Sequence, residues 1–116
     1  MKVVGRGLIT LRAKAEGELR YVKTVKDVIA LWKEGAAGKI VMLDDAGVTT
    51  LGPILSKLSG VVCKSGGLGS HLAIVTREFS IPALMGTKLD GDHDLQGKKV
   101  SIEPQGGSEG CLVLHD

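Results

Sequence analysis

The stretch from Gly66 to Phe79, Gly-Gly-Leu-Gly-Ser-His-Leu-Ala-Ile-Val-Thr-Arg-Glu-Phe, constrains this chain more than any other. Three glycines stand in four positions, then a hydroxyl, a histidine and an apolar run. Just upstream, Val61-Val62-Cys63 is a short run of the buried-strand type. The pattern reads as strand, glycine loop, helix, with Ser70 at the N-cap and His71 opening a helix over 71–79. Glycines at 66, 67 and 69 permit positive φ and close backbone approach. A helix start carries unpaired N–H groups and the positive end of the macrodipole. An imidazole there stands beside a surface that suits an anion, phosphate above all.

With 116 residues the chain makes one domain, 1–116. Hydrophobic residues are 43% of it but aromatic ones only 3%, so the core is aliphatic. The 17 glycines follow no period, so they mark turns and close approaches rather than a repeat. A net charge of +2, with acids and bases well mixed, argues against a nucleic-acid partner and against an acidic membrane surface. One Trp, one Tyr and one Phe leave little for base stacking. Cys63 and Cys111 each sit in an apolar run and read as buried, reduced thiols. No run reaches transmembrane length, and the start lacks the apolar region and cleavage site of a signal peptide. A cytoplasmic protein is expected.

Along the chain, residues 2–12 and 13–22 read as strands joined by a short polar segment, and a hairpin between them is expected. Thr24 followed by Asp27 gives a capping signal for a helix over 25–34. Its apolar stripe is Val25, Val28, Ile29 and Trp32, with Trp32 in the core. Lys39 to Leu43 is an apolar strand followed by Asp44-Asp45, which reads as a solvated turn. Thr49 to Pro53 opens a second helix that buries Ile54, Leu55 and Leu58. Ile81-Pro82 forces extended backbone before a short strand at 83–85, and 87–97 reads as a surface loop. Asp92-His93-Asp94 lies in that loop; adjacent residues rarely converge on one ion, so no metal site is expected. Strands over 98–103 and 110–114 close the chain as a hairpin. The order implies a mixed α/β domain with about three helices and more than one sheet layer.

The glycine loop is not a P-loop, because no Gly-Lys-Ser/Thr follows it. Nor does its glycine spacing match the dinucleotide fingerprint. At this point His71 can be a cap or surface residue, an anion ligand, or a nucleophile. A neutral imidazole can attack phosphorus through one ring nitrogen. Phosphoryl transfer asks mainly for positioning and charge stabilisation, which a nucleophile on a rigid platform can supply.

Gly66-Gly67, Ser70-His71, Ala73-Ile74-Val75 and Arg77-Glu78, followed by Ile81-Pro82-Ala83 and Gly86, resemble the swivelling phosphohistidine domain of phosphoenolpyruvate-utilising enzymes. That family includes phosphoenolpyruvate synthase, pyruvate phosphate dikinase and the first enzyme of the bacterial sugar phosphotransferase system. The similarity runs from roughly Gly38 to Leu114, is strongest over 61–86, and is loose over 1–37. The resemblance implies a swivelling β/β/α fold with mixed sheets. It makes His71 the phosphoryl acceptor, with Ser70 beside it and Gly66, Gly67, Gly69 and Ser70 around the phosphate. It also implies a carrier that shuttles a phosphoryl group between partner active sites and needs those partners for turnover. These would be an ATP-grasp nucleotide-binding subunit, a phosphoenolpyruvate- or pyruvate-binding subunit, or both, since 116 residues have no room for either. Mg2+ and ATP or phosphoenolpyruvate would then enter only through partners, with no cofactor held tightly here.

Two positions depart from the family pattern. Gly69 stands where Thr is usual, and Leu72 where a small residue is usual. Leu72 would narrow access or pack against a partner. Arg77 matches the motif but lies about 240° round the helix from His71, which points to a local salt bridge or a docking partner. Two other readings stay open: a non-phosphorylated small subunit of an aconitase-like dehydratase, or a phosphate-binding regulatory module.

Overall fold

A computed structural model of the chain describes residues 1–44, 51–91 and 94–115. Its elements are β1 (Lys2–Ile9), β2 (Ala15–Tyr21), α1 (Val25–Glu34), β3 (Ile40–Leu43), α2 (Gly52–Leu55), β4 (Gly60–Cys63), α3 (His71–Glu78), β5 (Ala83–Leu89), β6 (Lys99–Pro104) and β7 (Glu109–Leu114).

The strands close into one barrel in the order β1-β5-β4-β3-β2-β6-β7. Half of it is parallel: β2 pairs with β3, β3 with β4, and β4 with β5, each step crossed by one helix. The other half is antiparallel and brings β6, β7 and β1 round to meet β5. The mixed α/β composition and the three helices among the described residues agree with expectation. The sheet does not form separate layers, because closure leaves it no edge.

Parallel strands covered on one face and enclosed on the other need apolar residues at every position. In β3, Ile40 and Met42 join the barrel interior while Val41 and Leu43 lie under the helices. The same alternation splits Val62 from Val61 and Cys63 in β4, and Leu84 from Ala83 and Met85 in β5. Two cores result, one inside the barrel and one between the parallel half and the helices. Both cysteines are buried and free. Burial pushes the Cys111 thiol up, against a hydrogen bond from Gln105.

Four expectations need correction. β1 and β2 form no hairpin with each other; β1 pairs with β5 and β7, and β2 with β3 and β6. The strand at Ala83 runs on to Leu89 because β1 pairs along it as far as Gly5–Leu89. Trp32 is 53% exposed and outside the core. Helix α1 buries Val28 and Leu31 instead, leaving Val25 and Ile29 exposed beside Trp32. The capping box at Thr24 and Asp27 forms as the sequence indicates. Ile54, Leu55 and Leu58 are buried as expected. Asp45, Thr49, Thr50, Asp92 and His93 lie outside the described residues.

Candidate functional site

The glycine loop leaves the C-terminal end of β4, in the middle of the parallel half. Lys64 N–H donates to the Leu43 carbonyl at 2.9 Å, and Gly86 N–H donates to the Ser65 carbonyl at 3.1 Å. These two bonds hold residues 64 and 65 between β3 and β5. The chain then lifts off the sheet at Gly66, where φ is 79°. Gly86 also has positive φ, 58°, and a Cβ there would stand 3.1 Å from the Gly66 carbonyl oxygen. That contact gives the motif's distal glycine a structural reason: it lets the loop sit down on β5.

Of the three loop glycines only Gly66 uses positive φ, which corrects the reason expected for Gly67 and Gly69. At those two positions an added Cβ would meet nothing within 4 Å. They leave open space above the loop rather than relieve backbone strain.

The turn closes with Ser70 N–H donating to the Gly67 carbonyl at 3.1 Å. Ser70 is the N-cap of α3, and its Oγ accepts from Ala73 N–H at 3.3 Å. That leaves its hydroxyl proton free to donate elsewhere. His71 is the first helical residue and is exposed. Among the described residues, no backbone or side-chain acceptor receives the amides of Gly66, Gly67, Leu68, Gly69, His71 or Leu72. The exposed imidazole thus stands at a helix N-terminus, and the loop next to it in sequence carries N–H donors that are unpaired among the described residues. Such a surface favours an anion on both dipole and hydrogen-bonding grounds.

Two sequence expectations change here. Leu72 is only 8% exposed and belongs to the core beneath the helices, so its side chain neither faces a partner nor narrows the approach to His71. It packs with Ala73, while Thr76 turns its hydroxyl back to the Ala73 carbonyl at 3.0 Å. Arg77 forms no ion pair among the described residues. Its guanidinium donates instead to the Leu68 carbonyl in the glycine loop. Lys64 and Asp44 pair at 3.5 Å at the neighbouring strand ends, on exposed side chains. Among the described residues no cluster of His, Cys, Asp and Glu has the makings of a metal site. Nor is any helix long and apolar enough to cross a membrane.

Comparison with known proteins places this geometry. The family model for the mobile domain of PEP-utilising enzymes matches residues 35–107, which include the glycine loop, α3 and the β5 contact beneath it. Chondramide synthase from Chondromyces crocatus is 31% identical over 108 residues, covering 93% of this chain and 3% of that protein. Phosphoenolpyruvate synthase from Aeropyrum pernix is 30% identical over 111 residues, covering 96% of this chain and 13% of its own length. The chain therefore corresponds to a small part of each of these relatives. A solved structure of a UPF0107 protein shares the fold with a TM-score of 0.62 at 17% identity, over 96% of this chain and 99% of that one. The extent of the family match, across both the loop and the strands that seat it, shows that this chain belongs to the mobile-domain family of PEP-utilising enzymes.

Proposed function

We propose that the chain is a phosphoryl carrier that accepts a phosphoryl group on His71 and passes it between partner active sites. The observation that carries this reading is the exposed imidazole at the first position of α3, beside unpaired loop amides. One ring nitrogen attacks phosphorus; the N–P bond forms as the bond from phosphorus to the donor's leaving oxygen breaks, its electron pair going to that oxygen. In the second half an acceptor oxygen attacks phosphorus and the N–P bond breaks, returning the imidazole. Phosphoryl oxygens lie toward the amides of Gly66, Gly67 and Gly69, and Ser70 supplies its hydroxyl proton. The helix end adds its partial positive charge.

A site this open cannot exclude water alone, which fits chemistry completed inside partners. Those partners are an ATP-grasp subunit and a subunit that binds phosphoenolpyruvate or pyruvate; ATP or phosphoenolpyruvate and Mg2+ belong to them. Two relatives support this reading, since phosphoenolpyruvate synthases from Aeropyrum pernix and Aquifex aeolicus match 96% of the chain. Gly69 removes one hydroxyl the family usually places near the histidine, and Ser70 takes that donor role.

The test is incubation with labelled ATP or phosphoenolpyruvate and the matching partner subunit. An acid-labile, base-stable label that disappears in His71→Ala is expected. Label that persists in His71→Ala, or none in the unaltered chain, contradicts the reading.

A further inference from the structure

We propose that Arg77 is a positioning residue of the phosphoryl site, acting through the Leu68–Gly69 peptide; this rests on the phosphohistidine reading above. The loop from Gly66 to Gly69 stands off the barrel. Its flanks are held by the Gly86–Ser65 and Ser70–Gly67 backbone bonds. Between them, space is open round the Gly67 and Gly69 α-carbons, so side-chain packing does not fix the turn there. The Leu68 carbonyl is held by the Arg77 guanidinium, nine residues away.

Helical side chains lean toward the N-terminus, which is how a residue in the last turn of α3 reaches back past its start. A peptide group is planar and trans, so its carbonyl and the next N–H point in opposite directions. By fixing the Leu68 carbonyl, Arg77 fixes the direction of the Gly69 N–H, one of the unpaired donors beside His71. Released, that peptide plane can turn and take the donor away. An arginine in a last helical turn would ordinarily cap its own carbonyls or pair with an acid. Arg77 does neither among the described residues, and its charge stays at the loop.

The experiment compares the unaltered chain with Arg77→Met, Arg77→Lys and His71→Ala, using phosphoramidate as a small donor that needs no partner. In that step a His71 ring nitrogen attacks phosphorus, and the donor's P–N bond breaks with its electron pair leaving on ammonia. Two quantities are read: the rate of phosphohistidine formation, and the shift and hydrogen exchange of the Gly69 amide by NMR. Arg77→Met is expected to slow labelling about 10-fold or more. It should also shift the Gly69 amide and speed its exchange while barrel amides stay unchanged. Arg77→Lys should recover part of both, since an ammonium can still donate to the Leu68 carbonyl. A Gly69 amide unchanged in Arg77→Met overturns the role of Arg77, whatever happens to labelling. Equal labelling rates in the unaltered chain and Arg77→Met overturn it too. Absence of label in the unaltered chain, or label retained in His71→Ala, instead sinks the phosphohistidine reading, and the Gly69 amide still decides whether Arg77 holds the loop.

Discussion

Ser80 holds φ at 57°, the only non-glycine among the described residues with positive φ. It ends α3: its N–H donates to the Arg77 carbonyl at 3.0 Å, and Ile81 N–H donates to the Thr76 carbonyl at 2.8 Å. Glycine is the usual residue at such a helix end, since a Cβ is penalised there. Ser80→Gly should therefore raise stability by about 0.5–1 kcal/mol, net of the added freedom glycine gives the unfolded chain, read from denaturant midpoints. An unchanged or lower midpoint would argue against strain at this position. Gly69 is the opposite case. Its φ is not positive and the space round it is open, so Gly69→Thr should change stability by less than about 0.5 kcal/mol. A larger loss would mean the loop depends on glycine there. The histidine and its cap could be read from the sequence because Ser-His after a glycine run has a local mechanism. Arg77 could not. A helical wheel treats side chains as radial spokes, whereas a long arginine leans along the axis and crosses a turn and a half.

The helices show how element identity outruns element orientation. Helix α1 has its predicted bounds because its capping box is local: Thr24 Oγ accepts from Asp27 N–H at 3.3 Å, and Asp27 Oδ2 accepts from Thr24 N–H at 3.1 Å and from Lys23 N–H at 2.9 Å. Its buried face is not legible in the sequence, because apolar residues cover more than one stripe. Packing on the barrel selected Val28 and Leu31 over Trp32. The amide bonds from Lys23 and Thr24 hold the Asp27 carboxyl below the usual carboxylate range, against a smaller opposing effect of burial. A depressed folded-state pKa means the unfolded chain takes up the proton first as pH falls. The cap's contribution is thus present above the unfolded pKa, near about 3.9, and is lost as pH drops through the folded value. Asp27→Asn should lower stability at neutral pH and flatten the acid limb of the stability curve in urea titrations. The limb will not vanish, since hydrogen bonds from Arg20 and Lys39 also depress Glu18. Parallel acid limbs in the two proteins would contradict the role of Asp27.

At the scale of the whole molecule, closure of the barrel was the least legible feature. β3 and β4 announce themselves through unbroken apolar runs, but nothing local to β1 says that its partners are β5 and β7. Such pairing is fixed by residues far along the chain, and only the assembled fold selects among the strand arrangements the local pattern allows. Once closed, the barrel is a stiff base. It seats residues 64 and 65 between two strands, raises the loop at Gly66 over Gly86, and presents His71 outward on a short helix. The apolar material lies on the sheet faces and the candidate site on one rim, where parallel strands end. As a phosphoryl carrier, the chain holds the phosphoryl group at this rim on one nitrogen of His71. The most direct measurement is tandem mass spectrometry, under neutral conditions, of the chain after exposure to phosphoramidate, with 31P NMR on the same sample. A phosphorus–nitrogen signal, and modification confined to the peptide containing His71 and lost in His71→Ala, is the predicted result. Modification at His115 or at a hydroxyl, with His71 unmodified, would contradict it.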